Sequence, residues 1–255
     1  MILFSPSVRQ QKLSDMSEIY FIRHGQASFG KADYDILSPS GERQSEILAK
    51  YLSGTGIQFD AIYCGQMKRH IDTASPMIRF YEKNNIPIPS FTFVKEFDEY
   101  NAGALIAARL KQDMAEGTDT KAKTVDFDDI RKDKKAFQTF FAETVYQWVE
   151  GGYDHMDGIE SYPDFCNRVG RGLERIIRDN GRGKRLAVFT SGGPISVVVK
   201  DALELSGNKA MNLSWQIMNA SITCLKYSGN RSVLWGFNNA SHLMLENDPS
   251  LLTYR

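Results

Sequence analysis

Arg23-His24-Gly25 follows directly on the apolar run Ile19-Tyr20-Phe21-Ile22, so a histidine stands where a short strand gives way to a loop. Open α/β sheets carry their chemistry at such strand ends. Neutral imidazole can attack phosphorus, and the guanidinium beside it offers a planar fork of donors that matches a phosphate. Gly25 permits a sharp exit that brings backbone close to a ligand. On these three residues alone, a turn with a solvated arginine and a capping histidine fits equally well.

The elements that must position this tripeptide follow from periodicity. Apolar runs at Ile19 to Ile22, Ala61 to Tyr63, Phe91 to Val94, Leu186 to Phe189, Ile222 to Tyr227 and Val233 to Phe237 predict strands. Amphipathic stretches at Ser40 to Ser53, Lys68 to Asn84, Tyr162 to Asp179 and Gly193 to Leu205 predict the main helices, with Ser38 as N-cap and Pro39 at the first helical position of the first. This alternation predicts an α/β fold: a mostly parallel central sheet covered on both faces. Residues 101–157 break the rhythm with charged, helix-prone sequence, including Ala102 to Met114 and Asp133 to Glu150. In the latter, Phe137, Phe140, Phe141, Val145 and Trp148 form a stripe expected to pack against the core or a neighbouring helix. Gly117 to Lys123 is a loop-like polar stretch.

Several segments together resemble the histidine phosphatase superfamily, the phosphoglycerate mutase-like family, from about Ser17 onward. Arg23-His24-Gly25-Gln26-Ala27-Ser28-Phe29-Gly30 is similar to its nucleophile loop. Leu37-Ser38-Pro39-Ser40-Gly41-Glu42-Arg43-Gln44 resembles the helix start after that loop, and Met67 to Ala74 the segment carrying a second phosphate-binding arginine. Gly158-Ile159-Glu160-Ser161 resembles the turn that returns to the core, with Ser161 and Asp164 capping the next helix and Arg168 either bracing it or lying near phosphate.

The resemblance implies a three-layer α/β/α fold in a single domain over 1–255, with 101–157 a helical lid insertion that sets substrate choice. It implies His24 as nucleophile, Arg23 and Arg69 as cations on the phosphoryl oxygens, and Ser28, Phe29, Gly30, Ser191 and Gly192 as further substrate contacts. Such a transfer also needs an acid for the departing alkoxide. Val94-Lys95-Glu96-Phe97-Asp98-Glu99-Tyr100-Asn101 offers two, Glu99 fitting the relatives with this nucleophile loop better than Glu96. One departure stands out: Thr190-Ser191-Gly192-Gly193 has serine where the family usually has a second histidine. Serine donates one neutral hydrogen bond and carries no charge, a loss of about ten- to a hundredfold in rate. His242 is read as structural, and His70 and His155 as bystanders.

Cysteine-dependent phosphatases resemble Cys-x5-Arg, whereas Cys64 and Arg69 have four residues between them. The three cysteines are odd in number and widely spaced, which argues against a disulfide framework or zinc. No cofactor or metal is expected. With 255 residues, 42% hydrophobic and formal net charge +0, the chain can bury a full core and has no basic run suited to nucleic acid or an anionic membrane. No apolar stretch or leader pattern points out of the cytoplasm. Residues 1–15 precede the first strand without strong periodicity and are expected to be dispensable.

The sequence thus predicts a cytoplasmic phosphomonoester hydrolase working through phospho-His24, on a small phosphorylated substrate or a phosphoprotein. A mutase, or a catalytically weak phosphate-binding module motivated by Ser191, are the alternatives. The natural substrate and oligomeric state are not legible.

Overall fold

A computed structural model describes residues 16–28, 35–115, 133–229 and 231–254. Its centre is a six-stranded sheet of β1 (Ser17–Arg23), β2 (Ala61–Cys64), β3 (Ser90–Phe93), β4 (Arg185–Thr190), β5 (Ile222–Ser228) and β6 (Arg231–Asn239). The order is β3-β2-β4-β1-β5-β6, with the first four strands parallel and β5 and β6 added antiparallel. From β1 the chain crosses outward to β2, and from β4 it crosses the other way to β5. A crevice therefore opens at the carboxyl ends of β1 and β4, the topological switch point of such a sheet.

The central strands are apolar along their middles, Ile19 to Ile22 in β1 and Leu186 to Phe189 in β4, because both faces are covered. Ile19, Phe21, Tyr63, Leu186 and Val188 face one core, whereas Ile22, Ile62, Cys64, Ala187 and Phe189 face the other. That is the period of two a strand imposes. Helices α1 (Pro39–Gly54) and α2 (Lys68–Lys83) supply Leu48, Leu52 and Met77 to the second core. The first core takes Phe165 and Ile176 from α5 (Tyr162–Asn180) and Ile195 and Val199 from α6 (Gly192–Leu203). The expected three-layer α/β/α arrangement is the one observed. Two short helices have no counterpart in the sequence reading, α7 (Gly207–Ser214) and α8 (Ser241–Met244).

In the 101–157 region, α3 (Ala102–Ala115) and α4 (Lys134–Val149) pack on each other and join the first core through Leu105, Ala108, Val145 and Trp148. The aromatic stripe of α4 packs as expected: Phe141 stacks on Phe137 and meets Trp215 edge on, while Trp148 lies 4.8 Å from the ring of Tyr100. Gly117 to Lys123 and residues 1–15 lie outside the described residues. No helix among the described residues is long and apolar enough to cross a membrane.

Candidate active site

The last register pair of β1 and β4 is Arg23 with Thr190, and the chain immediately beyond it carries His24. Its backbone is fixed on both sides: its N–H donates to the Thr190 carbonyl at 2.9 Å, and its carbonyl accepts from Asn219 Nδ2 and the Ala220 N–H. The ring is 5% exposed, with Nδ1 at 2.7 Å from the Gly25 carbonyl oxygen. A carbonyl only accepts, so Nδ1 carries the hydrogen and Nε2 keeps its lone pair. Burial, then the charges of Arg69, Arg23 and His70, hold the His24 pKa well below its ordinary value of 6.5. The imidazole is neutral near pH 7, the form in which a histidine can act as a nucleophile.

Gly25 is required here by a close approach. Its N–H donates to Thr73 Oγ1 at 2.9 Å, and a Cβ would stand 2.5 Å from the Gly41 carbonyl oxygen in the first turn of α1. Ser38 caps that helix by accepting from the Gly41 N–H, and Pro39 opens it.

Arg23 and Arg69 flank the histidine from different elements. Arg23 Nη1 donates to the Ile217 carbonyl, and its Nε lies 3.8 Å from where a Cβ on Gly192 would be. Arg69, in the first turn of α2 and 6% exposed, donates from Nη1 to Asp35 Oδ1 at 2.6 Å and from Nη2 toward Ser191 Oγ at 3.5 Å. Asp35 also caps α2 by accepting the Lys68 N–H at 2.8 Å. Sequence reasoning passed over Asp35. Its place in Asp33-Tyr34-Asp35, just after the nucleophile loop, carried no spacing signal.

The two candidate acids part company. Glu99 accepts the Gly193 N–H on Oε2 at 3.1 Å and the Tyr100 N–H on Oε1 at 3.2 Å. Burial raises its pKa, opposed by those N–H groups and by the charges of Arg69 and Arg23. A carboxyl whose pKa is raised in this way is suited to protonate a leaving group. Glu96 lies on a single 3-10 turn, Lys95–Phe97, with its Cβ against Gly172 of α5. The structure brings Glu99, not Glu96, to the arginines. Arg168 braces this segment: it pairs with Glu160 through Nε at 2.6 Å and Nη2 at 2.8 Å, while Nη1 donates to the carbonyls of Lys95, Glu96 and Asp98. Thr190 Oγ1 ties the Phe97 carbonyl to the end of β4 at 2.6 Å.

Two expectations need correction. His70, read as a bystander beside Arg69, is fully buried, its ring centroid 5.7 Å from that of His24 and its Nε2 2.7 Å from Ser191 Oγ. It was missed because a single helical histidine next to an arginine has no pattern of its own; only the fold shows that α2 turns it toward β4. Ser28, expected to touch substrate, is 3% exposed and gives its hydroxyl to the Leu37 carbonyl, so it closes the loop on itself. The hydroxyl of Ser191, expected to contact substrate, also meets His70 Nε2 and Arg69 Nη2. Phe29 and Gly30 lie outside the described residues.

The remaining candidates fall as expected. His242 is buried against Tyr51 of α1, with ring centroids 5.3 Å apart, and burial lowers its pKa to about 4. His155 is exposed. Cys64 is fully buried at the end of β2, and burial pushes its thiol far up, which keeps it from acting as a thiolate.

No curated protein matches the chain. Solved structures of similar fold include a mutant phosphoserine phosphatase from Entamoeba histolytica in complex with phosphoserine, 19% identical over 89% of this chain and 100% of that one, with a TM-score of 0.58. A phosphoglycerate mutase from Bacillus anthracis is 16% identical over 93% and 100%, TM-score 0.58. Bacillus stearothermophilus YhfR is 16% identical over 89% and 99%, TM-score 0.62. At these identities the likeness is one of fold. The sequence itself matches a family over residues 19–125 and 105–240, nearly all of the chain beyond its first strand residues. With His24 at the switch point of this sheet, the chain belongs to the histidine phosphatase superfamily, branch 1.

Proposed function

We propose that the protein is a phosphomonoester hydrolase that works through a phosphohistidine on His24. The observation that carries this reading is the His24 ring, whose Nδ1 hydrogen is committed to the Gly25 carbonyl while burial, helped by the charges of Arg69 and Arg23, holds it neutral. Nε2 attacks phosphorus, the bond from phosphorus to the alcohol oxygen breaks, and protonated Glu99 gives its proton to that oxygen. Water then attacks the phosphohistidine in line and loses a proton to the Glu99 carboxylate. The N–P bond breaks, inorganic phosphate leaves, and both groups return to their starting forms. Arg23 and Arg69 offset the charge on the equatorial oxygens throughout.

The substrate on this reading is a small phosphorylated molecule in the cytoplasm, chosen by the 101–157 region. Support for that assignment is the contact of Trp148 with Tyr100, the residue after Glu99. Turnover of p-nitrophenyl phosphate by purified protein tests the activity, and a panel of phosphorylated metabolites the substrate. Capture of phosphate without release of alcohol would replace the hydrolase by a binding module.

A further inference from the structure

Nucleophile, cations and acid leave one buried hydrogen-bonded line in the site without a role. Ser191 Oγ lies 2.7 Å from His70 Nε2 and 3.5 Å from Arg69 Nη2, and both Ser191 and His70 are fully buried. On the far side of the ring, His70 Nδ1 faces Asp98 Oδ1 at 3.9 Å and has no hydrogen-bond partner among the described residues. The chain makes room for this arrangement. A Cβ on Gly65 would come within 2.2 Å of His70 Nδ1 and 2.8 Å of Asp98 Oδ1, so only glycine lets ring and carboxyl lie side by side.

We propose that His70 is a positioning residue for phosphoryl transfer, fixing the Ser191 hydroxyl so that its single hydrogen points at a phosphoryl oxygen. The inference rests on the phosphohistidine reading above. A serine hydroxyl rotates freely and has one hydrogen to give. If Nε2 accepted that hydrogen, Oγ would turn lone pairs toward an incoming anion and repel it. With an Nε2–H donating to Oγ, and Arg69 approaching the same oxygen as a second donor, both lone pairs are engaged. The hydroxyl hydrogen is left to leave in the remaining direction. Donors aligned in this way polarise one another, which strengthens the bond at the end of the line. In that tautomer Nδ1 carries a lone pair and calls for a donor, a part that Asp98 can take only in its protonated form, the form that burial favours by raising its pKa. Position 191 thereby delivers more than an isolated serine would, and a histidine placed there would collide with His70.

Hydrolysis of p-nitrophenyl phosphate, inhibition by orthovanadate and melting temperature are measured for wild type, His24→Ala, His70→Leu, His70→Gln, Ser191→Ala and the His70→Leu/Ser191→Ala pair. His70→Leu and Ser191→Ala should each lower kcat/KM about 10- to 50-fold, and the pair should be no worse than the poorer single variant. Vanadate inhibition should weaken in parallel. His70→Gln, which keeps a donor near the Nε2 position, should lose less than about fivefold. The proposal is overturned if Ser191→Ala costs the same factor with and without His70, or if folded His70→Leu turns over like wild type. Should His70→Leu not fold, His70→Gln decides: a loss as large as that of Ser191→Ala refutes it. Wild type without turnover, or an active His24→Ala, defeats the phosphohistidine reading and this inference with it. An inactive His24→Ala without coupling between 70 and 191 defeats this inference alone.

Discussion

The Gly193 N–H donates to Glu99 Oε2 at 3.1 Å, and a Cβ on Gly193 would stand 1.9 Å from Oε1 of the same carboxyl. The second residue of α6 is thus shaped around the side chain of a distant loop. Alanine suits a helix start, so Gly193→Ala should keep the fold yet displace Glu99. We expect kcat for alkyl phosphates to fall about 100-fold, with p-nitrophenyl phosphate losing under tenfold because its leaving group hardly needs a proton. Glu99→Gln should show the same pattern and Glu96→Gln little of it. Equal losses on both substrates in Gly193→Ala would mean that the glycine serves something other than the acid.

The pH profile has a definite sign. His24 must be unprotonated and its pKa is depressed, so the acid limb of kcat/KM should lie below pH 6.5. Glu99 must be protonated to act, and its raised pKa carries activity above the ordinary carboxylate range of 4.5 before the alkaline limb sets in. Activity on alkyl phosphates should therefore peak on the acid side of neutrality. With an alkyl phosphate the alkaline limb should flatten in the residual activity of Glu99→Gln, and a profile that is unchanged there would remove Glu99 as the proton donor.

The strands, the main helices and the position of His24 were legible in the sequence because each has a local cause. Both-face burial writes apolar runs into β1 and β4, Ser38-Pro39 marks a helix start, and a histidine after a strand marks a switch point. What was not legible depends on register between distant segments. His70 reaches Ser191 across 121 positions, Asp35 meets Arg69 across 34, and Arg168 gathers the carbonyls of Lys95, Glu96 and Asp98 from α5. Ser28 looked like a ligand contact only because its loop does; its hydroxyl turns to Leu37 once the loop closes.

Arg69 holds Asp35 and approaches Ser191 with its two arms, so its charge is aimed before any phosphate arrives. Arg69→Ala should weaken vanadate inhibition and kcat together, each about tenfold or more, and Arg69→Lys should recover part of both. Asp35→Asn keeps the size but removes the charge opposite Arg69, and should tighten vanadate binding by freeing that guanidinium for the anion. Vanadate inhibition unaltered in Arg69→Ala would exclude this arginine from the phosphoryl site.

Arg168 satisfies three carbonyls and the Glu160 carboxylate at once. Replacing it by methionine keeps the stem and removes every donor. Unfolding free energy should drop on the order of 1–3 kcal/mol, and the alkyl-phosphate defect should resemble a mild Glu99→Gln as the 95–99 segment loosens. Denaturant titration with parallel kinetics checks both, and stability lost without any change in leaving-group dependence would confine Arg168 to a purely structural role.

The nucleophile is tested most directly by trapping. Protein mixed with 32P-labelled substrate, quenched without acid and digested, should yield one labelled peptide carrying phospho-His24, formed and lost at rates compatible with turnover. His24→Ala should show neither label nor activity while melting like wild type. Label on Cys64, or full turnover in His24→Ala, would contradict the account.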